Sequence, residues 1–137
     1  MNLEMIVLPD LCFVLRREHG AAPRTCAAFD AMLPIRRAIL QARWSGEAAW
    51  VPLLTPPWDV PLEAATSHPA PGQILLYPGG YSEPEILVAY GATHFSSKLG
   101  QLAGNHFLTV IDGLQHLTEL GRRVSLEGAQ HIEFRRS

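Results

Sequence analysis

The sequence predicts a mainly β fold, a closed or nearly closed antiparallel barrel of about eight strands with two short helices. Short apolar runs that are typical of strands recur along the chain, and glycines and prolines separate them at turn positions. A chain of 137 residues with a hydrophobic fraction of 47% is long enough to bury one core. We therefore interpret residues 1–137 as a single domain, in which closing the sheet removes the exposed edges.

The N-terminal part predicts a β-hairpin followed by a short helix. Residues 5–8 and 11–15 are apolar strand candidates, and Pro9-Asp10 between them is turn chemistry. Thr25 is a candidate N-cap, because its hydroxyl can accept a hydrogen bond from a free amide of the first helical turn. Pro34 ends the helix, since the residue before a proline is disfavoured in the α region.

The middle of the chain predicts two more strands and then an irregular segment. Residues 35–44 and 48–53 read as strands around a turn at Ser45-Gly46. Residues 52–71 hold six of the 11 prolines, which excludes a regular helix or a central strand there. We interpret this segment as an ordered surface excursion, because its apolar side chains need a surface to pack on.

The C-terminal half predicts three strands, a second helix and a final strand. Strand candidates at 74–77 and 86–90 flank Pro78-Gly79-Gly80, and a polar loop at 93–105 precedes a strand at 106–111. An apolar stripe with a closing glycine marks a short helix, and residues 124–134 form the last strand. The residues that mark this helix are Leu114, Leu117, Leu120 and Gly121.

Charge and hydropathy argue against several classes of protein. Net charge is −2 and the pI is near 6.3, whereas nucleic-acid-binding domains are usually strongly basic. The chain has no apolar run of about 18 residues, and Glu4 and Asp10 interrupt the start where a signal peptide would be apolar. We expect a cytoplasmic protein with no nucleic-acid or membrane partner, and two buried free thiols at Cys12 and Cys26.

Six stretches of the chain carry a family resemblance: 23–29, 42–48, 72–80, 82–87, 98–107 and 128–130. Together they resemble a family of small bacterial proteins of unknown function that is grouped with the cyclophilin-like fold. The resemblance covers nearly the whole chain and implies a single cyclophilin-like barrel, but it is almost silent on function.

The helix start at Pro23 to Phe29 also resembles the true cyclophilins. Their catalytic stretch has an Arg followed by Ile or Val, then Pro-Gly-Phe and Gln-Gly-Gly. Here Arg43 is followed by Trp44, Ser45 and Gly46, so only the arginine matches. A prolyl isomerase or a proline-peptide-binding module is therefore the alternative function rather than the first.

The chemically rich segment runs from Tyr77 to His106, and it predicts a pocket at the barrel mouth for a small polar metabolite. A carboxylate and two imidazoles in it are candidate acid or base groups, while an amide, an ammonium or a guanidinium can hold a polar ligand. The catalytic candidates are Glu83, His94 and His106, and the ligand-binding candidates are Arg43, Tyr77, Lys98, Gln101 and Asn105.

Each candidate also has an ordinary structural interpretation. Glu83 can cap a turn, His94 can lie on the surface, and His106 can pack on a sheet face instead of lining a pocket. Arg43 can pair with Glu47 to hold the turn. We interpret Glu85, one step onto the strand, as solvated.

The sequence predicts neither a metal nor a cofactor. No His-x-His, His-x₃-His or Cys-x₂-Cys spacing is present, and zinc needs three or four protein ligands. Ser96, Ser97 and Lys98 lack the Gly-x-Ser-x-Gly surroundings of a nucleophilic serine. The glycines lack the Gly-Lys-Ser/Thr of a phosphate loop.

Assembly is the last expectation. Trp58, Val60 and Leu62 are apolar residues in a segment that should run over the surface, and exposed apolar clusters usually mark contacts. We expect a homo-oligomer, most simply a dimer, so a pure interaction protein is a third hypothesis. We also expect the 78–82 turn and the 93–105 loop to meet and form one site.

Overall fold

The computed structural model describes residues 2–54 and 58–137, and eight of its strands close into an antiparallel barrel. The strand order is β2-β1-β11-β3-β4-β7-β6-β10, and pairing of β10 with β2 closes the ring. These strands are β1 (Leu3–Val7), β2 (Leu11–Arg17), β3 (Ile35–Gln41), β4 (Gly46–Pro52), β6 (Gln73–Tyr77), β7 (Glu85–Thr93), β10 (Gly104–Asp112) and β11 (Gln130–Arg136). The predicted barrel fold is confirmed.

Three short strands and two helices complete the architecture. β5 (Ala65–Thr66) pairs with the start of β10, while β8 (Ser96–Ser97) and β9 (Gly100–Gln101) form a small separate hairpin. α1 is Pro23–Asp30 and α2 is Leu117–Arg122. A 3₁₀ turn at Leu114–His116 leads into α2, and a π-helical turn at Arg123–Glu127 follows it.

Strand register separates the barrel interior from an outer face. Val51 lies opposite Ile86 and Ile74 opposite Val88, and these side chains belong to the main core together with Phe29 of α1 and Leu120 of α2. Alternate residues point outward, because successive side chains of a strand face opposite sides of the sheet. Outward residues of β4, β6 and β7 build a second apolar cluster with Phe95 and Leu102, which flank the β8–β9 hairpin. The strand residues in it include Trp50, Leu75, Tyr77 and Leu87.

The start of α1 differs from the prediction. The helix begins at Pro23, whose fixed φ suits the first helical position, and Ala22 is the N-cap residue. Thr25 therefore lies inside the helix. Glu63 does the capping instead, because its carboxylate accepts hydrogen bonds from the amides of Arg24 and Thr25 and from the Thr25 hydroxyl.

The second helix runs further than predicted. It passes through Gly121, where a Cβ would collide with the Tyr90 ring, and the chain leaves the helical region at Gly128 with φ +93°. Leu117, Leu120 and Val124 follow helical spacing and are buried. The predicted strand start at residue 124 is wrong for this reason, and the final strand begins at Gln130.

The proline-rich segment folds back onto its own barrel. Trp58 is buried in the main core, Val60 packs against that core, and only Leu62, at 72% exposure, remains an exposed member of the expected apolar cluster. Residues 55–57 of this segment lie outside the described ranges. The homo-oligomer stays a prediction, with one of its three supporting side chains still at the surface.

Two smaller expectations have mixed outcomes. Cys26 is buried as expected, whereas Cys12 is exposed because β2 alternates between faces and is not buried on both. Of the helices in the described ranges, none has the length and apolar character needed to cross a membrane.

Candidate functional site

A cavity of about 620 Å³ opens on the outer face of the barrel, and not at its mouth as the sequence predicted. Four segments surround it: the turn between β3 and β4, strand β4, the 78–84 loop with the start of β7, and the β8–β9 hairpin. We call it the outer cavity. Its lining residues are Gln41, Ala42, Arg43, Trp44, Trp50, Ser82, Glu83, Glu85, Ser96, Ser97 and Lys98.

Glu85 is the most unusual group of the outer cavity. Register places it opposite Pro52 on β4 and Tyr77 on β6, in the outward-facing row. It is only 8% exposed, and within residues 2–54 and 58–137 its carboxyl has no hydrogen-bond or ion-pair partner. Burial, with a smaller contribution from the negative charge of Glu83, raises its pKa to about 8. The expectation that Glu85 is solvated is therefore wrong.

Two cations line the same cavity without a carboxylate partner in the described part of the chain. The guanidinium of Arg43 lies over the Trp44 ring, 4.7 Å from its centroid, and Lys98 extends from the hairpin. Glu47 forms no ion pair with Arg43, and its Oε1 accepts the Ala92 amide at 2.8 Å. The expected alternative, in which Arg43 pairs with Glu47 to hold the turn, is therefore absent. Both Arg43 and Lys98 remain available to an anionic ligand.

Ser45 fixes the hairpin beside the β3–β4 turn. Its hydroxyl donates to the Ser96 carbonyl at 3.1 Å and accepts the Ser96 amide at 2.9 Å. The Ser45 carbonyl also accepts the His94 amide at 2.9 Å. These three bonds hold the segment that carries Lys98 next to the segment that carries Arg43.

Tyr77 fixes the 78–84 loop and is not itself part of the cavity lining. Its buried hydroxyl accepts the amides of Tyr81 at 3.0 Å and Ser82 at 3.1 Å. Gly79 and Gly80 have positive φ values of 98° and 119°, which lets the loop turn back toward this hydroxyl. Tyr77 thus positions Ser82 and Glu83 at the cavity, a different task from the ligand contact that the sequence suggested.

His94 and Gln101 fasten the base of the hairpin. His94 Nε2 lies 3.1 Å from Gln101 Oε1, and its ring stacks on His68 with centroids 4.6 Å apart. The Gln101 amide nitrogen donates to the Ser67 hydroxyl at 3.1 Å. Neither side chain lines the outer cavity, so both act on it through the hairpin.

Asn105 lies in a buried cluster on the far side of β6. Its Oδ1 accepts the Glu63 amide at 3.0 Å, and its Nδ2 donates to the Pro61 carbonyl at 2.8 Å and to the Thr25 hydroxyl at 3.0 Å. We call Thr25, Glu63 and Asn105 the anchor cluster, because they fasten the proline-rich segment to α1. Asn105 has no free hydrogen-bonding atom left for a ligand.

His106 belongs to another local network. Its Nε2 lies 2.8 Å from the Thr109 hydroxyl, which donates to Glu18 at 2.6 Å. Burial lowers the pKa of His106, although Glu18 acts in the opposite direction. His106 does not line the outer cavity, so the two loops do not bring all the predicted groups into one site.

The structure thus gathers Arg43, Glu83 and Lys98 of the eight predicted residues around one cavity and adds Glu85. A signal for Glu85 was present in the sequence. It opens the apolar run of residues 85–89, and a carboxylate in such a run is buried on a covered sheet face. Trp44 and Trp50 were not among the predicted site residues, yet both line the cavity.

Comparison with known proteins identifies the family. Residues 8–136 match the family described as "Protein of unknown function (DUF3830)". The chain belongs to this family. The function of this family is unknown, as the resemblance in the sequence implied. No curated protein matches the sequence.

A solved structure resembles the DUF3830 barrel. It is the structure of McbB in complex with tryptophan, with a TM-score of 0.77 and 16% sequence identity. The superposition covers 98% of this chain and 44% of the McbB chain, so this chain spans less than half of the length of McbB. At this identity the likeness shows a common barrel fold.

Proposed function

We propose that the outer cavity binds a small polar metabolite that carries a carboxylate, and that Glu85 exchanges a proton with it. The observation that carries this proposal is Glu85, a residue only 8% exposed, whose carboxyl has no partner among the described residues and faces a cavity of about 620 Å³. Burying such a group costs stability, and proteins retain costly groups of this kind mainly at functional sites. Catalysis by acid–base exchange is the chemistry that this group supports.

The cations and the indoles supply the binding chemistry. Arg43 and Lys98 offer charge-assisted hydrogen bonds to a carboxylate, and the volume suits a molecule of metabolite size. Trp44 and Trp50 offer flat apolar surface to the rest of the ligand. The ligand is therefore amphipathic, with a charged end and a planar or apolar body.

Glu85 suits proton transfer near neutral pH. A carboxyl with a pKa of about 8 is mostly protonated at pH 7, and it exchanges its proton with little cost in free energy. Water around an exposed carboxylate would abolish this property. The apolar neighbours of Glu85 on the outer face thus serve the site as well as the fold.

The structural neighbour supports a small-molecule site on this barrel. McbB was solved in complex with tryptophan, an amphipathic molecule with a carboxylate and a planar ring. A prolyl isomerase receives less support, because an ionisable carboxyl and a second cation, Lys98, line the cavity beside Arg43. The interaction-protein hypothesis loses its main argument with the burial of Trp58.

A thermal-shift screen of small carboxylates against the wild type and Glu85→Gln tests the proposal. We expect some carboxylates to raise the wild-type melting temperature, since a ligand at 100 times its Kd adds about 2.7 kcal/mol. Arg43→Gln and Lys98→Met should reduce the shift. Any turnover of a bound compound should disappear in Glu85→Gln, because the amide cannot exchange the proton.

Asp59→Asn is the matched control, because Asp59 is exposed and does not line the outer cavity. This variant should keep the wild-type shifts. Shifts that survive unchanged in both Arg43→Gln and Lys98→Met would place the ligand elsewhere on the barrel and would refute the proposal.

A further inference from the structure

We propose that the ligand is a planar monocarboxylate with an uncharged oxygen acceptor at the end remote from its carboxylate, and that the Glu85 carboxyl donates a hydrogen bond to that oxygen. This inference rests on the proposed function and names its ligand class. A hydroxyl or a carbonyl satisfies it, and an ammonium at the same position does not.

The polarity of the outer cavity gives the ligand its direction. Arg43 follows Ala42, whose amide bonds the Ala48 carbonyl at 2.9 Å, whereas Glu85 lies opposite Pro52. Ala48 and Pro52 are four residues apart on β4, which corresponds to about 13 Å of strand. The segment that carries Arg43 and the start of β7 that carries Glu85 therefore lie at opposite ends of this stretch of β4.

Trp50 lies between these two ends. Ala48, Trp50 and Pro52 alternate with inward residues and share the outer face of β4. Trp50 lines the cavity and is partly buried, so an indole surface lies between the Arg43 end and Glu85. A flat body that lies along Trp50 brings its two polar ends to the two polar ends of the cavity.

Charge counting favours a ligand with one negative charge. The charged groups around Glu85 are Arg43 from the β3–β4 turn, Glu83 from the 78–84 loop and Lys98 from the hairpin. The nearby Tyr77 hydroxyl is occupied by two loop amides. With Glu85 protonated at pH 7, two cations and one anion leave a net charge of +1, which a monocarboxylate neutralises.

An ammonium facing Glu85 is the less favourable alternative. It would require Glu85 to ionise in a buried position beside Glu83, and the resulting pair would bear the desolvation of both charges. Glu83 itself is exposed, so water screens its attraction for an ammonium. A neutral oxygen accepts a hydrogen bond from protonated Glu85 without any change of charge.

Isothermal titration with four para-substituted probes tests the ligand class at pH 7. The probes are 4-(hydroxymethyl)benzoate, 4-methylbenzoate, 4-(aminomethyl)benzoate and uncharged 4-methylbenzyl alcohol. We expect 4-(hydroxymethyl)benzoate to bind most tightly, 4-methylbenzoate more weakly, and the other two most weakly. Tighter binding of the aminomethyl compound, or absence of binding by all four, would overturn the inference.

The pH dependence isolates the role of Glu85. Because the ligand binds the protonated form, affinity for 4-(hydroxymethyl)benzoate should fall about tenfold between pH 7 and pH 9 as Glu85 loses its proton. In Glu85→Gln the amide still donates a hydrogen bond but does not titrate, so affinity should persist and lose this fall. Lys98→Met should weaken binding several-fold at both pH values while retaining the fall.

Failure of the inference and failure of the proposed function give different results. If the aminomethyl probe binds best and Glu85→Gln abolishes the preference, the site is correct and the ligand class is wrong. If a wider set of carboxylates also fails to bind, or binds independently of Arg43, Lys98 and Glu85, the proposed function is wrong too. Circular dichroism of each variant verifies that the barrel is folded.

Discussion

The anchor cluster and the outer cavity both place a carboxyl group within the fold, but they treat it in opposite ways. In the anchor cluster, Glu63 accepts two amides and a hydroxyl, and Asn105 uses all of its donor and acceptor positions. In the outer cavity, Glu85 has no partner among the described residues. The anchor cluster fastens the proline-rich segment to α1, whereas the outer cavity leaves the Glu85 carboxyl available for proton exchange.

The pKa values of Glu63 and Glu85 are also shifted in opposite directions. For Glu63, burial opposes the charged form, but the hydrogen bonds from Thr25 and Arg24 outweigh it and lower the pKa. For Glu85, burial acts without such compensation and raises the pKa to about 8. The environment therefore decides whether an acidic side chain in this barrel serves structure or chemistry.

The largest expected effect concerns the stability of the wild type relative to Glu85→Gln as pH rises. The folded protein keeps the Glu85 proton up to about pH 8, whereas the unfolded chain loses it near the ordinary value of 4.5. Stability therefore falls as pH rises between these values and levels off above them. The loss relative to Glu85→Gln is on the order of 4 kcal/mol across this window.

Urea unfolding of both proteins at pH 4.5, 6, 7 and 8.5 measures this difference, and comparing the two proteins cancels the titration of the other groups. Asp59→Asn serves again as the control and should follow the wild type. A constant difference between wild type and Glu85→Gln across this range would mean that Glu85 ionises normally, and the contrast with Glu63 would disappear.

The next effect removes a satisfied polar group from the anchor cluster. Asn105→Ala should lower the free energy of unfolding by about 3 kcal/mol, because the Glu63 amide and the Pro61 carbonyl lose their hydrogen bonds to Asn105 and the Thr25 hydroxyl keeps only its bond to Glu63. Chemical denaturation measures the loss. Asn2→Ala is the matched control at an exposed position and should be nearly neutral.

Ligand binding sharpens this prediction. Asn105→Ala should leave affinity at the outer cavity unchanged wherever the protein is folded, since Asn105 does not line it. A selective loss of binding without a loss of stability would show that Asn105 belongs to the functional site and not to the anchor.

Much of the fold follows from local sequence signals. The apolar runs and turn residues locate the eight barrel strands, because each strand has a short apolar pattern in its own sequence. The errors lie where two patterns compete. Residues 124–127 contain Val124 and Leu126, which fit a strand, but the helical spacing from Leu117 through Leu120 to Val124 extends the helix.

The site was less predictable because it depends on register. Whether Glu85 faces water or a covered surface is decided by its pairing with Pro52 and Tyr77 and by the hairpin that packs over the outer face. Neither is visible in the local sequence. Glu83 and Lys98 were predicted to lie at a pocket because polar residues in loops are frequent binding and catalytic residues. Asn105 was misassigned because its hydrogen-bond partners are distant in the sequence.

The smallest effect compares two tyrosines that hold the rim of the outer cavity. Tyr77 is buried and its hydroxyl accepts two amides, whereas exposed Tyr81 donates a single hydrogen bond to the Leu99 carbonyl at 3.2 Å. Tyr77→Phe should lower the free energy of unfolding by about 1–2 kcal/mol, because the two loop amides lose their acceptor. Tyr81→Phe should change it by less than about 0.5 kcal/mol, since water replaces an exposed bond. Hydrogen exchange should nevertheless rise locally at the hairpin in Tyr81→Phe, because this bond links the hairpin to the 78–84 loop. Equal losses of stability in the two variants would show that the exposed Tyr81 bond stabilises the rim as much as the two bonds to the buried Tyr77 hydroxyl.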